Sequence, residues 1–167
     1  MAGRLSRQDN DYKHGSSMSK NPKKKILLGW REWVCLPALS IARIKAKVDT
    51  GARTSALHAF YVERFNKGGQ EMVRFRIHPK QHNTQIVQDC VVPLLDERDI
   101  TDSGGHREKR LVISTTARLG AYEWPIELTL TNRDTMKFRM LLGRSAMKGR
   151  FIVDPSRSFL IETAKSR

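Results

Sequence analysis

The chain has 167 residues, 31 Lys and Arg against 17 Asp and Glu, and a formal net charge of +14. That is the length of one domain with or without a tail, and such a domain buries a core without covalent staples. Two cysteines, Cys35 and Cys90, are too few for a disulfide framework and lack metal-type spacing, so both are expected as reduced core thiols in a cytoplasmic protein.

Residues 1–25 carry seven Lys or Arg against Asp9 and Asp11 and end in Lys23-Lys24-Lys25. They read as a disordered basic tail, with no apolar stretch before Ile26 to serve as the core of a signal peptide. No later window reaches transmembrane length. The charge invites acidic partners, nucleic acid included, but no nucleic-acid motif stands beside it. A solvated surface plus the tail is the simpler reading, and nucleic acid on the tail the less favoured one.

The fold is expected over residues 26–163, with 164–167 as a C-terminal tail. Ile26 to Leu36 reads as a strand leading to a turn at Pro37. Ile41 to Val48 alternates apolar and basic side chains, strictly so from Ile44, which predicts a half-buried strand. Thr54 to Phe60 is a short strand or turn. Phe60–Phe65 and Met72–Ile77 flank Asn66-Lys67-Gly68-Gly69 and predict a hairpin. A loop at residues 78–83 precedes a strand over Thr84–Val92. Asp96 to Arg110 is the most polar internal stretch. Strands follow at Leu111–Ile113 and Trp124–Leu130, with a turn at Thr131–Asp134. Lys137 to Leu142 is a buried strand, and Ser145–Lys148 is the best helix candidate. Phe151–Asp154 and Ser158–Glu162 close the domain as two strands. Many short strands with Gly, Pro and Asn turns, and almost no helical periodicity, predict an all-β closed barrel with one short C-terminal helix.

Two motifs carry chemistry. Lys47-Val48-Asp49-Thr50-Gly51-Ala52 sets one carboxylate at the end of a strand. Gly51 is expected at positive φ in a tight turn, open to close approach by substrate or carboxylate. Arg139-Met140-Leu141-Leu142-Gly143-Arg144-Ser145 places an apolar pair before Gly and Arg. The two motifs together, in this order, resemble the retropepsin-like aspartic proteases. The nearest branch is the bacterial one labelled ATP-dependent zinc proteases, which also reads Thr-Ser and Leu-His-Ala, here Thr54-Ser55 and Leu57-His58-Ala59.

The resemblance implies an acid-protease barrel and an aspartic endopeptidase. Asp49 is then the catalytic acid/base, and Thr50, Gly51 and Ala52 form its loop. Leu141, Leu142, Gly143 and Arg144 support that loop. Only one such Asp is present, and the chemistry needs two carboxylates that share a proton, so a two-fold homodimer is expected. Thr50 would set its hydroxyl against the partner's loop. Where retroviral relatives carry an acid after Asp-Thr-Gly-Ala, this chain has Arg53, which cannot pair with Arg144. Glu32 or Asp154 is expected to meet Arg144 instead, or the interface differs. The segment Asp99–Lys109, with Ser103, Gly104 and Gly105 at its centre, is the candidate flap; Asn66–Gly69 is the runner-up.

No His-Glu-x-x-His motif, Cys/His cluster or phosphate loop supports zinc or ATP, so no metal or cofactor is expected. His78 and His82 are separated by Pro79 in a loop. His58 reads as a packed residue, and Ser55 lacks the partners of a nucleophile. The alternative function is a non-catalytic peptide- or partner-binding module on the same fold, taking an extended strand into the groove.

Overall fold

The structure, a computed structural model, describes residues 24–132 and 137–161. Residues 1–23 of the expected basic tail, Arg133 and Asp134 of the expected turn, Glu162 at the end of the last expected strand and the C-terminal tail 164–167 fall outside them. The architecture is mostly β with one short helix. The strands are β1 (Ile26–Gly29), β2 (Arg31–Leu36), β3 (Ile41–Val48), β4 (Ser55–His58), β5 (Tyr61–Lys67) and β6 (Gln70–Ile77). They continue with β7 (Gln88–Pro93), β8 (Asp96–Thr101), β9 (Arg107–Leu119), β10 (Tyr122–Thr131), β11 (Met140–Leu142), helix α1 (Arg144–Met147) and β12 (Phe151–Asp154). No helix among the described residues is long and apolar enough to cross a membrane.

The main sheet runs β10-β4-β11-β3-β2-β9-β8, and β10 also pairs with β9, so six strands form a ring with β8 attached to its side. The alternation of β3 explains its place: Ile41, Ile44, Ala46 and Val48 are buried, while Lys47 and Arg43 are exposed. Leu57, Ile113, Leu128, Met140 and Leu142 fill the same core. The β5–β6 hairpin turns through Gly68 and Gly69, both at positive φ, with the Asn66 side chain accepting from Gly69 N–H. β5, β6 and β7 form a separate three-stranded sheet, and β1 and β12 a two-stranded parallel one.

Three strand expectations are corrected. Residues 84–87 are irregular and only Gln88–Pro93 is strand; the Asn83 side chain takes Gln85 N–H and holds that stretch in a loop. In Lys137–Leu142 only Met140–Leu142 is strand. Ser158–Ile161 is not a strand, because its amides turn to a side chain. Leu160 N–H and Ile161 N–H donate to the buried Glu32 carboxylate, at 2.9 and 3.3 Å, and Phe159 sits at φ 53°. Both cysteines are free and buried.

Candidate active site

The order β3-β11-β4 brings the two motifs together. β11 lies between β3, its parallel neighbour, and β4, its antiparallel one. The chain leaving β3 must cross the end of β11 to enter β4, and the crossing loop is Asp49–Thr54. Asp49 N–H donates to the Leu142 carbonyl at 2.9 Å. Gly143 then turns the chain away from the sheet into α1, and the helix start closes on the loop. Arg144 N–H donates to Ala52 O at 2.8 Å and Ser145 N–H to Arg53 O at 2.9 Å.

Within the loop, Asp49 Oδ1 accepts from Gly51 N–H at 3.0 Å and Ala52 N–H at 3.2 Å. Oδ2 has no hydrogen bond among the described residues, and Asp49 lines a cleft of about 950 Å³. Gly51 and Arg53 line it and are exposed; Thr50 is exposed but is not part of its lining. Gly51 is not at positive φ, contrary to expectation. Its lack of a side chain matters for another reason: a Cβ there would stand 3.2 Å from Asp49 Oδ1.

Arg144 meets neither Glu32 nor Asp154. Its guanidinium donates to the Thr50 carbonyl at 3.0 Å, so it braces the loop through the backbone and needs no acid. Glu32 is fully buried and takes Gly29 N–H at 2.7 Å as well as the two C-terminal amides. Asp154 accepts from both Ser156 N–H and its hydroxyl, which holds its carboxyl below the usual range.

The Asp99–Lys109 segment is the end of a hairpin in which Asp99 faces Lys109 and Thr101 faces Arg107. Its tip is tied by the Asp102 carboxylate, which accepts from Gly104 N–H and His106 N–H, each at 2.9 Å. Gly105 is at positive φ. Ser103 lines the Asp49 cleft, with Asp99, Ile100, Thr101 and Asp102 beside it; Gly104 and Gly105 do not. The runner-up turn, Asn66–Gly69, lines no part of the cleft.

Several residues hold the site together through contacts that gave no sequence signal. Ser55 Oγ accepts from Gly143 N–H at 3.0 Å, joining the two motifs. Trp124 Nε1–H donates to Ala146 O at 3.0 Å and pins α1 to β10. Arg98 bridges Asp96 and Glu127, at 2.7 and 2.5 Å, tying the base of the hairpin to β10. The Glu127 hydrogen bond, then that of Asp96, holds the Arg98 guanidinium above its ordinary pKa. Each is a contact between distant strands, invisible without the sheet order. His58 is buried in β4, away from the cleft lining. Among the described residues no group of three His, Cys, Asp or Glu is placed to hold a metal ion.

Residues 27–164 match the family model described as retropepsin-like aspartic endopeptidase RimB. The chain belongs to the RimB-like family. Its curated relatives include proteins named "Probable alpha-L-glutamate ligase". That of Shewanella halifaxensis is 47% identical over 137 residues, and that of Desulfotalea psychrophila 48% over 139. These matches cover 82% and 83% of this chain but 30% of each relative, so the chain spans about a third of their length. Among solved structures, a Legionella pneumophila protein of unknown function (DUF785) superposes with a TM-score of 0.67 at 25% identity, over 82% of this chain and 98% of its own. For a RimB-like domain, the convergence of the Asp49 loop and the Gly143–Arg144 turn on one cleft is the feature to account for.

Proposed function

We propose that this RimB-like chain is an aspartic endopeptidase whose centre is formed by Asp49 from each of two copies, on an acid-protease barrel. The observation that carries this reading is the state of Asp49: one oxygen fixed by two backbone N–H groups, the other unpaired at the cleft. A carboxylate held in that way is half of a dyad. Two of them about 3 Å apart cannot both ionise and share one proton, a behaviour for which aspartic proteases are themselves the reference case. The ionised partner takes a proton from water, whose oxygen attacks the peptide carbonyl carbon. The protonated partner gives its proton to the carbonyl oxygen. The tetrahedral diol then collapses, and the amine leaves with a proton. Thr50, exposed beside Asp49, is positioned to meet the partner's loop, and the hairpin tip at Ser103–Gly105 is the cover that limits water.

The relatives' name points to glutamate as the substrate class. Arg53 and Arg144 both line the cleft, and neither has a carboxylate partner among the described residues. A chain of α-linked glutamates is therefore the first substrate to assay. The absence of a disulfide in a chain with two buried thiols fits a reducing cytoplasm.

Asp49→Asn is expected to lower kcat/KM on a quenched oligoglutamyl peptide about a thousandfold or more while leaving the melting temperature unchanged. Mixing equal amounts of Asp49→Asn and unaltered chains, with exchange, should give about a quarter of the unaltered specific activity per total chain, about half of what the unaltered chains contribute alone, because only dimers with two aspartates work. An Asn variant that cleaves at the original rate would overturn the mechanism.

A further inference from the structure

The positive charge is distributed in a way the peptidase reading does not use. Every ion pair among the described residues takes its cation from β5, β6, β8 or β9: Arg64, Arg74, Arg76, Arg98, and the Arg107–Arg110 stretch. The face formed by β2, β3 and β11 has none. Arg31, Arg43, Lys45, Lys47 and Lys137 lie without a carboxylate within 4 Å among the described residues. Three of them lie over rings: Arg31 4.6 Å from the Trp30 centroid, Arg43 3.9 Å and Lys45 5.2 Å from that of Trp33, and Arg31 also donates to Ser158 Oγ at 3.2 Å.

Strand geometry produces this face. Ile44, Ala46 and Val48 point to the core, so Lys45 and Lys47 project to the other side, roughly 7 Å apart. The register sets Arg31 opposite Lys47 and Trp33 opposite Lys45. Like charges directly opposite each other across a ladder are destabilising. Scattered over a convex surface, such charges would be solvated. Here Arg31, Lys45, Lys47 and Lys137 converge on a cavity of about 560 Å³ that also includes Trp30 and Phe138, packed edge to face at 5.8 Å, and no Asp or Glu. A concavity lined by one sign of charge focuses its field on whatever enters.

A pocket with a cationic rim and aromatic walls matches a flat ring joined to a negative charge. We propose that the β2–β3–β11 face binds single-stranded nucleic acid, with phosphates on Lys45, Lys47 and Lys137 and a base against Trp30. An acidic peptide would use the charges and give the rings at the cavity no ligand of their own. The volume suits about one nucleotide, in the range of small-ligand sites. Leu141 lines both this cavity and the Asp49 cleft, so the two sites adjoin across β11. This surface is distinct from the N-terminal tail.

The test is fluorescence anisotropy of short labelled oligouridylate and oligodeoxythymidylate with the full chain, at graded salt. The tail is unaltered in every variant, so differences belong to the face. Lys45→Gln/Lys47→Gln/Lys137→Gln is expected to weaken binding about tenfold or more and reduce the log–log salt slope by about 2, as loss of three phosphate contacts dictates. Trp30→Leu should weaken binding about tenfold with the slope unchanged. Lys148→Gln/Arg150→Gln, which line neither cavity, should change little. Asp49→Asn should bind as the unaltered chain does, which separates this site from the peptidase reading. Unchanged affinity and slope in the triple variant would overturn the proposal. So would an oligoglutamate peptide whose binding depends on the three lysines when that of the oligonucleotides does not. The three lysine changes lie at polar rim positions, so their result stands even if Trp30→Leu unfolds the chain.

Discussion

Glu32 is a fully buried carboxylate with no ion-pair partner among the described residues, satisfied by three backbone N–H groups. Replacing it with Ala strands those donors, each at a cost of about 1–3 kcal/mol, so a loss of about 4 kcal/mol is expected in urea unfolding. Glu32→Gln should cost less, since its carbonyl oxygen still serves the amides of Gly29 and Leu160. Gly143 has a different constraint. A Cβ there would lie 2.6 Å from the Thr54 carbonyl carbon and 2.9 Å from Ser55 N, both backbone atoms that cannot step aside. Gly143→Ala is expected to destabilise by about 2–3 kcal/mol and to lower peptidase activity more than Ser55→Ala, which removes one hydrogen bond. Burial pushes the Cys90 thiol up to about 11 from an ordinary 9.0. At pH 8 about one molecule in a thousand then carries the thiolate, and Cys90 should resist thiol reagents until the chain unfolds. Between pH 9 and 11 the unfolded chain releases this proton first, so stability falls as pH rises through that window.

At the scale of elements, the hairpin β8–β9 is the cover of the cleft under the proposed peptidase reading, and its residues 99–103 line that cleft. Its base is fixed to β10 by Arg98 and Glu127, while its tip holds Asp102 as the acceptor of local amides. Arg98→Met should lower kcat/KM about tenfold by letting the base drift, with little change in melting temperature, because half-exposed ion pairs contribute at most about 1 kcal/mol. This hairpin also marks where sequence reading stops. The alternation in Ile41–Val48 and the Asn66–Gly69 turn were legible because side-chain period and turn chemistry are local. Asp96–Thr101 was not legible as a strand: its run of charged residues looks like loop, and its strand form depends on pairing with residues 107–112. The reverse error occurred at Ser158–Ile161, where apolar residues read as strand but a carboxylate 128 residues away captured the amides. The site followed the same rule. Asp49 to Ala52, Thr54-Ser55 and Leu141 to Arg144 were found as motifs, whereas the contacts of Ser55, Trp124 and Arg98 depend on which strands and helix lie side by side.

For the whole molecule, the division of charge is the organising fact. Among the described residues, the ion pairs all take their cations from β5, β6, β8 and β9, and none takes one from β2 or β3. The net charge of +14 was readable from composition, but the cluster of cations on the β2–β3 face was not, since that needs the register of Arg31 with Lys47. If two chains share one centre, dilution must matter. Specific activity should fall steeply below the dimer dissociation constant and track the sedimentation coefficient; activity proportional to concentration throughout, by a monomer, would rule out the shared dyad.

The Glu32 carboxylate has one more implication. Gly29, near the start of the described fold, and Leu160, near its end, hang on the same oxygen. Entry and exit of the polypeptide thus share a single doorway. A circular permutant that joins residue 161 to residue 26 by a short glycine-rich bridge and opens at the Lys67–Gly69 turn should therefore fold, and a longer host protein could carry this unit as a plug-in module without spreading its own flanking segments apart.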